Sequence, residues 1–226
     1  ASIEKADYLV LESTYGDRLH SETSILDSLA KIVTDTIAKR GHLLIPSFAV
    51  GRTQDLLHLF AILRRDCRIP NIPIYLDSPL AEEATEIYVQ FPDWRKKNTE
   101  GRHVFSKVAT IVKSRQQSKS LLASKGSSIV IAGSGMVSGG RILHHLSQRV
   151  SDPKNTVLLV GFQAAGTRGR LLQEGAAEIK LHGSYFPVKA EVRELTGLSA
   201  HADQKETLDW LKGFANPPKR TFLVHG

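Results

Sequence analysis

The stretch "SSIVIAGSGMVSGGRILHHLSQRV", residues 127–150, holds a complete strand–loop–helix unit. Its apolar beginning predicts a buried strand, and four glycines between 133 and 140 predict a loop. The remainder predicts a helix. A buried strand that leads through a short loop into a helix is typical of α/β proteins with a parallel sheet, so this stretch favours that fold.

The same order recurs along the chain. Further strands are predicted at 7–13, 42–48, 72–79, 155–161, 178–183, 186–195 and 220–226, and further helices at 21–41, 51–66, 80–91, 114–124, 167–175 and 202–214. Strands and helices alternate five or six times, which predicts an α/β fold with a largely parallel sheet flanked by helices. The polar and basic segment 92–127 departs from this pattern, and we expect it to be a surface insertion.

Composition excludes several classes of protein. Of the 226 residues, 41% are hydrophobic and 23% are charged, which argues against a disordered chain. The net charge of +7 favours a polyanionic partner. The single cysteine, Cys67, excludes an internal disulfide and a multi-cysteine zinc site. A single cysteine fits the reducing cytoplasm, which is the location we expect. No apolar run reaches the roughly 20 residues of a membrane span, so we expect no membrane partner. Because the sequence begins and stops abruptly, we also expect this chain to be a piece of a longer protein.

Four predicted strand ends carry small or polar residues that open a helix, at 46–54, 77–81, 133–141 and 161–170. Backbone N–H groups at a helix start form a pocket for anions, and three of these loops add arginine. The predicted phosphate-binding residues are Ser47, Arg52, Gly135, Ser138, Gly139, Gly140, Arg141 and Arg168. The alternative is that these loops are only turns with surface ion pairs. A dinucleotide site of the Rossmann type fits less well, because Ser138 stands where the third glycine belongs.

Three more strand ends carry an acid or an imidazole: Glu12, His201 in "LSAHADQ", and His225 in "FLVHG". A carboxylate beside a histidine holds the ring and fixes its tautomer, which suits a general acid, and a neutral histidine can bind zinc. A histidine in a strand is also often purely structural. The spacing of these residues does not decide between these functional roles and a structural one.

Six motifs resemble, in order, those of the β-CASP metallo-β-lactamase nucleases. They are "LVLESTYGDRLH", "PSFAVGRTQDLL", "YLDSPLA", "GMVSGGRILHHL", "LSAHADQ" and "LVHG". The resemblance covers nearly the whole chain and is strongest to the bacterial RNA-processing members, which are similar to the endonuclease of messenger-RNA 3′-end cleavage. It implies catalytic roles for Glu12 and His201, which should meet, and a zinc-ligand role for His225. A histidine at this last position is typical of members that act on RNA.

One departure from the family concerns the metal. The signature His-x-His-x-Asp-His is absent from the chain, although the resemblance implies two zinc ions in the intact enzyme. The resemblance further implies a β-CASP domain at 17–190, between two pieces of an αββα metallo-β-lactamase domain at 1–16 and 191–226. We therefore expect this chain by itself to bind no zinc and to be inactive.

The resulting hypothesis is a zinc-dependent ribonuclease of RNA processing or decay, in which this chain supplies the domain that clamps RNA. A homodimer is left open. The alternatives are a catalytically inactive RNA-binding or scaffold relative and a nucleotide-binding Rossmann-like domain.

Overall fold

The computed structural model describes residues 3–19, 24–91, 108–124, 126–199 and 201–225. The chain divides into two compact units. One unit is formed by residues 1–23 and 199–226, and the other by residues 24–198. We call them the terminal unit and the α/β unit.

The helices and strands follow the predicted alternation. The strands are β1 (Tyr8–Glu12), β2 (Leu43–Pro46), β3 (Ile74–Asp77), β4 (Thr110–Ile111), β5 (Ile129–Ala132), β6 (Thr156–Val160), β7 (Glu178–Leu181), β8 (Ser184–Pro187), β9 (Glu191–Leu195) and β10 (Arg220–Val224). The helices are α1 (Ile25–Ala38), α2 (Arg52–Arg65), α3 (Pro79–Gln90), α4 (Arg115–Leu122), α5 (Ile142–Arg149), α6 (Arg168–Gln173) and α7 (Gln204–Leu211). Part of the predicted insertion at 92–127 lies outside the described residues, and its predicted helix is present as α4.

The α/β unit is built on a six-stranded sheet in the order β4-β3-β5-β2-β6-β9. Every neighbouring pair in it is parallel, which confirms the predicted fold class. Because parallel strands end at the same edge, the loops after β2, β3, β5 and β6 all start from one edge of the sheet. We call this the loop edge.

The core of this unit lies on both faces of the sheet. Side chains alternate between faces along a strand, so Ile129 and Ile131 belong to one apolar cluster and Val130 to another. The first cluster includes residues of α1 and α2, such as Leu29 and Phe60, and the second includes residues of α5. Because both faces of the sheet are buried, the sequences of the central strands are continuous apolar runs.

The sequence prediction differs from the structure near residue 186. The run 186–195 was expected to be one strand, but it divides into β8 and β9. The N–H groups of Lys189 and Ala190 both donate to the Val150 carbonyl, so the backbone leaves β8 there. β8 pairs with β7 in an antiparallel hairpin. β9 instead pairs with β6, so residues 191–195 form an edge strand of the six-stranded sheet.

The terminal unit is small. β1 and β10 form a two-stranded parallel sheet in which Glu12 is in register with Val224. Beyond its end, the N–H and the hydroxyl of Ser13 donate to the Val224 carbonyl, at 2.9 and 3.1 Å. The carboxyl ends of these two strands therefore place Glu12 and His225 at the same edge.

Candidate functional site

Glu12 and His201 lie in contact within the terminal unit. Nδ1 of His201 is 3.2 Å from Oε1 of Glu12, and the side chains are 49% and 37% exposed. This is the contact that the resemblance led us to expect. Because Nδ1 faces the carboxylate, Nε2 lies on the other side of the ring from Glu12. The pair thus presents an imidazole that is held by an acid and partly open to solvent.

The Glu12 carboxylate is held by its own strand end as well as by His201. The side chain of Thr14, followed by its backbone N–H, lowers the pKa of Glu12, and His201 adds a smaller lowering. The Thr14 N–H donates to Oε2 at 3.1 Å, which leaves Oε1 to face His201. Glu12 therefore stays ionised at neutral pH and can orient a histidine.

The segment that carries His201 is fixed by the start of α7. Asp203 caps this helix by accepting the Glu206 N–H at 2.8 Å, and the Glu206 side chain accepts the Asp203 N–H in return. Asp203 also forms an isolated parallel bridge with Tyr15, close to Glu12 in sequence. The backbone N–H of His201 donates to the Ser199 hydroxyl at 3.0 Å. The capping box explains why Asp203 follows the histidine, a feature that by itself does not indicate catalysis.

His225 directly follows β10 and has a left-handed backbone, with φ of 61°. Glu12 is in register with Val224, so His225 lies at the same end of the two-stranded sheet as Glu12 and one residue farther along. Zinc sites in proteins use three or four protein ligands. Across the described residues, no cluster of three or more histidine, cysteine, aspartate or glutamate side chains could hold a metal ion. The described residues therefore do not form a zinc site by themselves.

The loop edge of the α/β unit brings the four predicted phosphate loops together. The Gly169 N–H donates to the Met136 carbonyl at 3.0 Å, and the Gln163 amide donates to the Gly135 carbonyl at 3.2 Å. These bonds join the loops after β5 and β6. The β2 loop reaches the same place, because the ring of Phe48 lies directly against Gly135.

The glycine-rich loop is organised around Ser134. Its hydroxyl accepts the backbone N–H groups of Ser138 and Gly139, at 3.0 and 3.2 Å. Gly140 has φ of 73° and lies against the backbone of Gly133, so the loop closes tightly on itself. The predicted residues Gly135, Ser138, Gly139 and Gly140 thus form one compact turn at the loop edge.

The three predicted arginines bind groups of the protein itself. Arg52 donates to the Leu198 carbonyl and lies 3.5 Å from Asp55. Arg141 donates to Asp77 at 2.6 Å and to the Val112 carbonyl at 2.9 Å. In each case the guanidinium helps to hold the loops in place.

Arg168 and Ser47 are likewise bonded within the protein. Arg168 donates to the Lys180 carbonyl at 2.6 Å and, more weakly, to the Val137 and Ser138 carbonyls. The hydroxyl of Ser47 is buried and lies 3.0 Å from that of Thr53. Ser47 therefore shapes the β2 loop instead of presenting its hydroxyl to a ligand.

A buried polar cluster behind the glycine-rich loop was not predicted. Asp77 is fully buried, and its Oδ2 accepts the Ser118 hydroxyl at 2.6 Å and Nε2 of His145 at 2.7 Å. Arg149 lies 3.1 Å from Nδ1 of His145. An arginine can only donate, so Nδ1 accepts and the proton of this imidazole is on Nε2.

Opposing effects act on the charge of Asp77. Burial raises the pKa of Asp77, but the hydrogen bonds from His145, Ser118 and Arg141 outweigh it, and the pKa stays below its ordinary value. The sequence held one signal for this cluster. Asp77 ends an apolar strand just as Glu12 does, and a buried acid requires partners.

Comparison with known proteins identifies similar families over most of the chain. The model of the Beta-Casp domain matches residues 53–172. The model described as a Zn-dependent metallo-hydrolase RNA specificity domain matches residues 185–226. The first match covers the loops after β3, β5 and β6 but begins after Phe48 and Arg52 of the β2 loop, and the second includes His201 and His225.

Three relatives illustrate the similarity. A ribonuclease of Thermus thermophilus is 36% identical over 228 residues, which cover 98% of this chain and 52% of that protein. An RNase J-like protein of Methanocaldococcus jannaschii is 32% identical over 99% of this chain and 53% of its own length. The transcription termination factor FttA of Methanococcus maripaludis is 33% identical over 98% of this chain and 37% of its own length. The chain thus spans about half or less of the length of these relatives.

Proposed function

This chain belongs to the β-CASP family of metallo-β-lactamase nucleases, and from that premise we propose that the complete protein is a metal-dependent ribonuclease of RNA processing or decay. The observation that carries the proposal is the contact between Glu12 and His201. Relatives named as ribonucleases support RNA as the substrate. We further propose a cytoplasmic location, which suits a chain with a single cysteine. As a separate finding, none of the helices in the described parts of the chain is both long and apolar enough to cross a membrane.

We propose that His201 acts as the general acid and Glu12 as its positioning residue. Hydrolysis of a phosphodiester expels an alkoxide oxygen, and protonation makes that oxygen a better leaving group. His201 can hold a proton on Nε2 while Nδ1 remains hydrogen-bonded to the ionised Glu12 carboxylate. After delivery of the proton, Glu12 keeps the neutral ring in the tautomer with its proton on Nδ1.

We propose that zinc, when bound in the complete protein, activates the attacking water, and that His225 is one of its ligands. Because the described residues do not form a metal cluster by themselves, we propose that other residues of the complete protein supply further ligands. We keep 1–16, 17–190 and 191–226 as the proposed domain division and, because β9 (Glu191–Leu195) pairs with β6, propose that the 17–190 domain folds together with β9. The apolar surface that β1 and β10 expose, at Tyr8, Val10 and Leu223, suits cover by further residues of a longer protein.

We propose that the loop edge binds the RNA backbone. At Gly139 the glycine-rich turn leaves the main chain open to a phosphate. Arg168 adds positive charge in these loops, while Arg141 is paired with Asp77 and Arg52 lies near Asp55. Such contacts are largely independent of base sequence. An inactive scaffold relative remains the second hypothesis, and the presence of Glu12 and His201 in contact argues against it.

The test replaces His201 and Glu12 in the complete protein. His201→Ala should lower kcat by roughly 10²- to 10⁴-fold, as expected for loss of a general acid, while the Kd for RNA changes little. Glu12→Gln should lower kcat less, because the histidine remains. His58→Ala, a histidine on α2 in the α/β unit, serves as the matched control and should leave kcat unchanged. If His201→Ala turns RNA over at the wild-type rate, the catalytic assignment is wrong.

A further inference from the structure

Exposed aromatic side chains stand at the loop edge. Phe48, in the loop after β2, and Phe162, in the loop after β6, are each 43% exposed. The two loops follow neighbouring strands of the sheet. Large exposed aromatic side chains beside a glycine-rich turn call for an explanation, because burial of a phenylalanine ring is normally favourable.

One face of the Phe48 ring is covered by backbone. A Cβ added to Gly135 would lie 2.7 Å from Cδ2, 2.8 Å from Cε2 and 3.0 Å from Cγ of this ring. These three ring carbons are consecutive, with Cδ2 in the middle, and their distances to the added Cβ are similar. The added Cβ therefore lies above the ring face, because an approach in the ring plane toward Cδ2 would leave Cγ and Cε2 much farther away than Cδ2. The glycine at 135 therefore lets the main chain lie flat against one face of the ring.

The backbone that carries the ring is also anchored before any ligand binds. The carbonyl of Phe48 accepts the Thr53 hydroxyl at 2.7 Å and the Ser47 hydroxyl at 3.2 Å. Both hydroxyls are on buried residues, so the backbone of Phe48 is anchored to the start of α2. A ring that is held from behind loses little conformational entropy when a flat group stacks on its front.

We propose that the open face of Phe48 is a stacking platform for one base of a single-stranded RNA whose phosphates lie along the glycine-rich turn. The proposal rests on the proposed function and adds the group that binds the base. Aromatic rings in single-strand binding sites take any base, because every base has a π-face. The net charge of +7 and Arg168, whose guanidinium donates to backbone carbonyls in the same loops, favour a polyanion over an apolar protein partner at this place.

The experiment uses the complete protein, a fluorescent single-stranded RNA of mixed sequence, and a chelator that prevents cleavage. Phe48→Leu should raise the Kd by roughly 5- to 150-fold, the range for loss of one stacked base, and leave the salt dependence of binding unchanged. Phe48→Tyr keeps the ring and should bind as the wild type does. Phe91→Leu is the matched control, because Phe91 is 55% exposed but lies at the far end of α3 from the loop edge.

A second measurement separates stacking from a structural role. One abasic nucleotide is moved along the RNA, and in the wild type one position should weaken binding more than its neighbours. In Phe48→Leu that position should lose its effect, because the ring that met the base is gone.

Failure of stacking and failure of the proposed function give different results. If the wild type binds RNA and Phe48→Leu binds equally well, the stacking platform alone is rejected. If the wild type binds no RNA, the proposed function and the platform are both rejected. If Phe48→Leu changes the oligomeric state and leaves the Kd for RNA unchanged, the ring is a protein contact and the platform is likewise rejected.

Discussion

Asp77 determines how the charges behind the loop edge are arranged. It is fully buried, and three side chains donate to it: Ser118, Arg141 and His145. Removal of the carboxylate would take this acceptor from Ser118 and His145 and leave the Arg141 charge with only the Val112 carbonyl among the described residues. Loss of one partner of a buried ion pair is far more costly than loss of a surface pair.

We therefore expect Asp77→Ala to lower the free energy of unfolding by roughly 3 kcal/mol or more. Urea denaturation of the chain, followed by circular dichroism, measures this. Asp66→Ala is the control, because Asp66 pairs with Arg65 at an exposed surface and should leave the unfolding midpoint nearly unchanged. Equal effects of the two substitutions would mean that the buried cluster contributes no net stability.

Individual site residues were predictable to different degrees. Glu12 and His201 are far apart in the sequence, and only the ordered motifs of a known family predict that they pair. The predicted phosphate loops do meet, because parallel strands end at one edge. The partners of Arg141 and Arg168 were not predictable, since hydrogen bonds between loops depend on side-chain geometry that spacing does not encode. Asp77 carried a signal in its apolar strand, but His145 gave none beyond its place on a helix.

At the scale of elements, the glycine-rich turn depends on one glycine more than on its neighbour. Gly140 has a left-handed backbone, and a Cβ there would lie 2.3 Å from the Gly133 carbonyl oxygen. At Gly139 an added Cβ meets nothing within 4 Å. Substitution of each of the two adjacent glycines therefore tests whether the turn requires the left-handed, closely packed backbone of Gly140 or simply glycine at both positions.

Gly140→Ala should destabilise the chain by at least about 1–2 kcal/mol, the cost of a left-handed alanine, with a further cost from the overlap with Gly133. Gly139→Ala should be tolerated in the same unfolding assay, and it keeps the N–H that donates to Ser134. A tolerated Gly140→Ala would show that the turn can change its backbone conformation, contrary to the tight closure described above.

Most elements of the sheet were predictable because their apolar runs are bounded by clear helix starts. β4 was not, because it has only two residues, Thr110 and Ile111, which is too short for any periodic pattern. β7 was predicted within 178–183, but its hairpin with β8 was not. The chain turns there at His182 and Gly183, both with positive φ, and histidine at the first position is not a common hairpin signal.

At the scale of the whole molecule, the α/β unit has the features of an independent folding unit. Both apolar clusters lie within residues 25–198. Its two ends also adjoin, because Ile25 lies against Gly197 and Arg52 donates to the Leu198 carbonyl. By contrast, Leu9 is the one buried apolar side chain among the described residues of the terminal unit.

We expect a chain of residues 24–198 to unfold cooperatively, with a urea midpoint close to that of the whole chain. A chain of residues 24–190 is the matched control. It lacks β9, which pairs along its length with β6 and contributes the buried Leu195, so it should lose cooperativity or stability. A broad, non-cooperative transition of 24–198 would contradict the independence of this unit.

The parallel pairing of β1 with β10 has a consequence for synthesis on the ribosome. Ser13 bonds to Val224, 211 residues away, so β1 must wait for β10 while about 200 residues are added, roughly 10–40 s at ordinary elongation rates. Closing so long a loop in an unfolded chain would cost roughly 5 kcal/mol of entropy. A folded α/β unit, with its ends already together, removes most of that cost. A nascent chain should therefore complete its large sheet first and bring Glu12 to His201 only after nearly all of the chain has been translated.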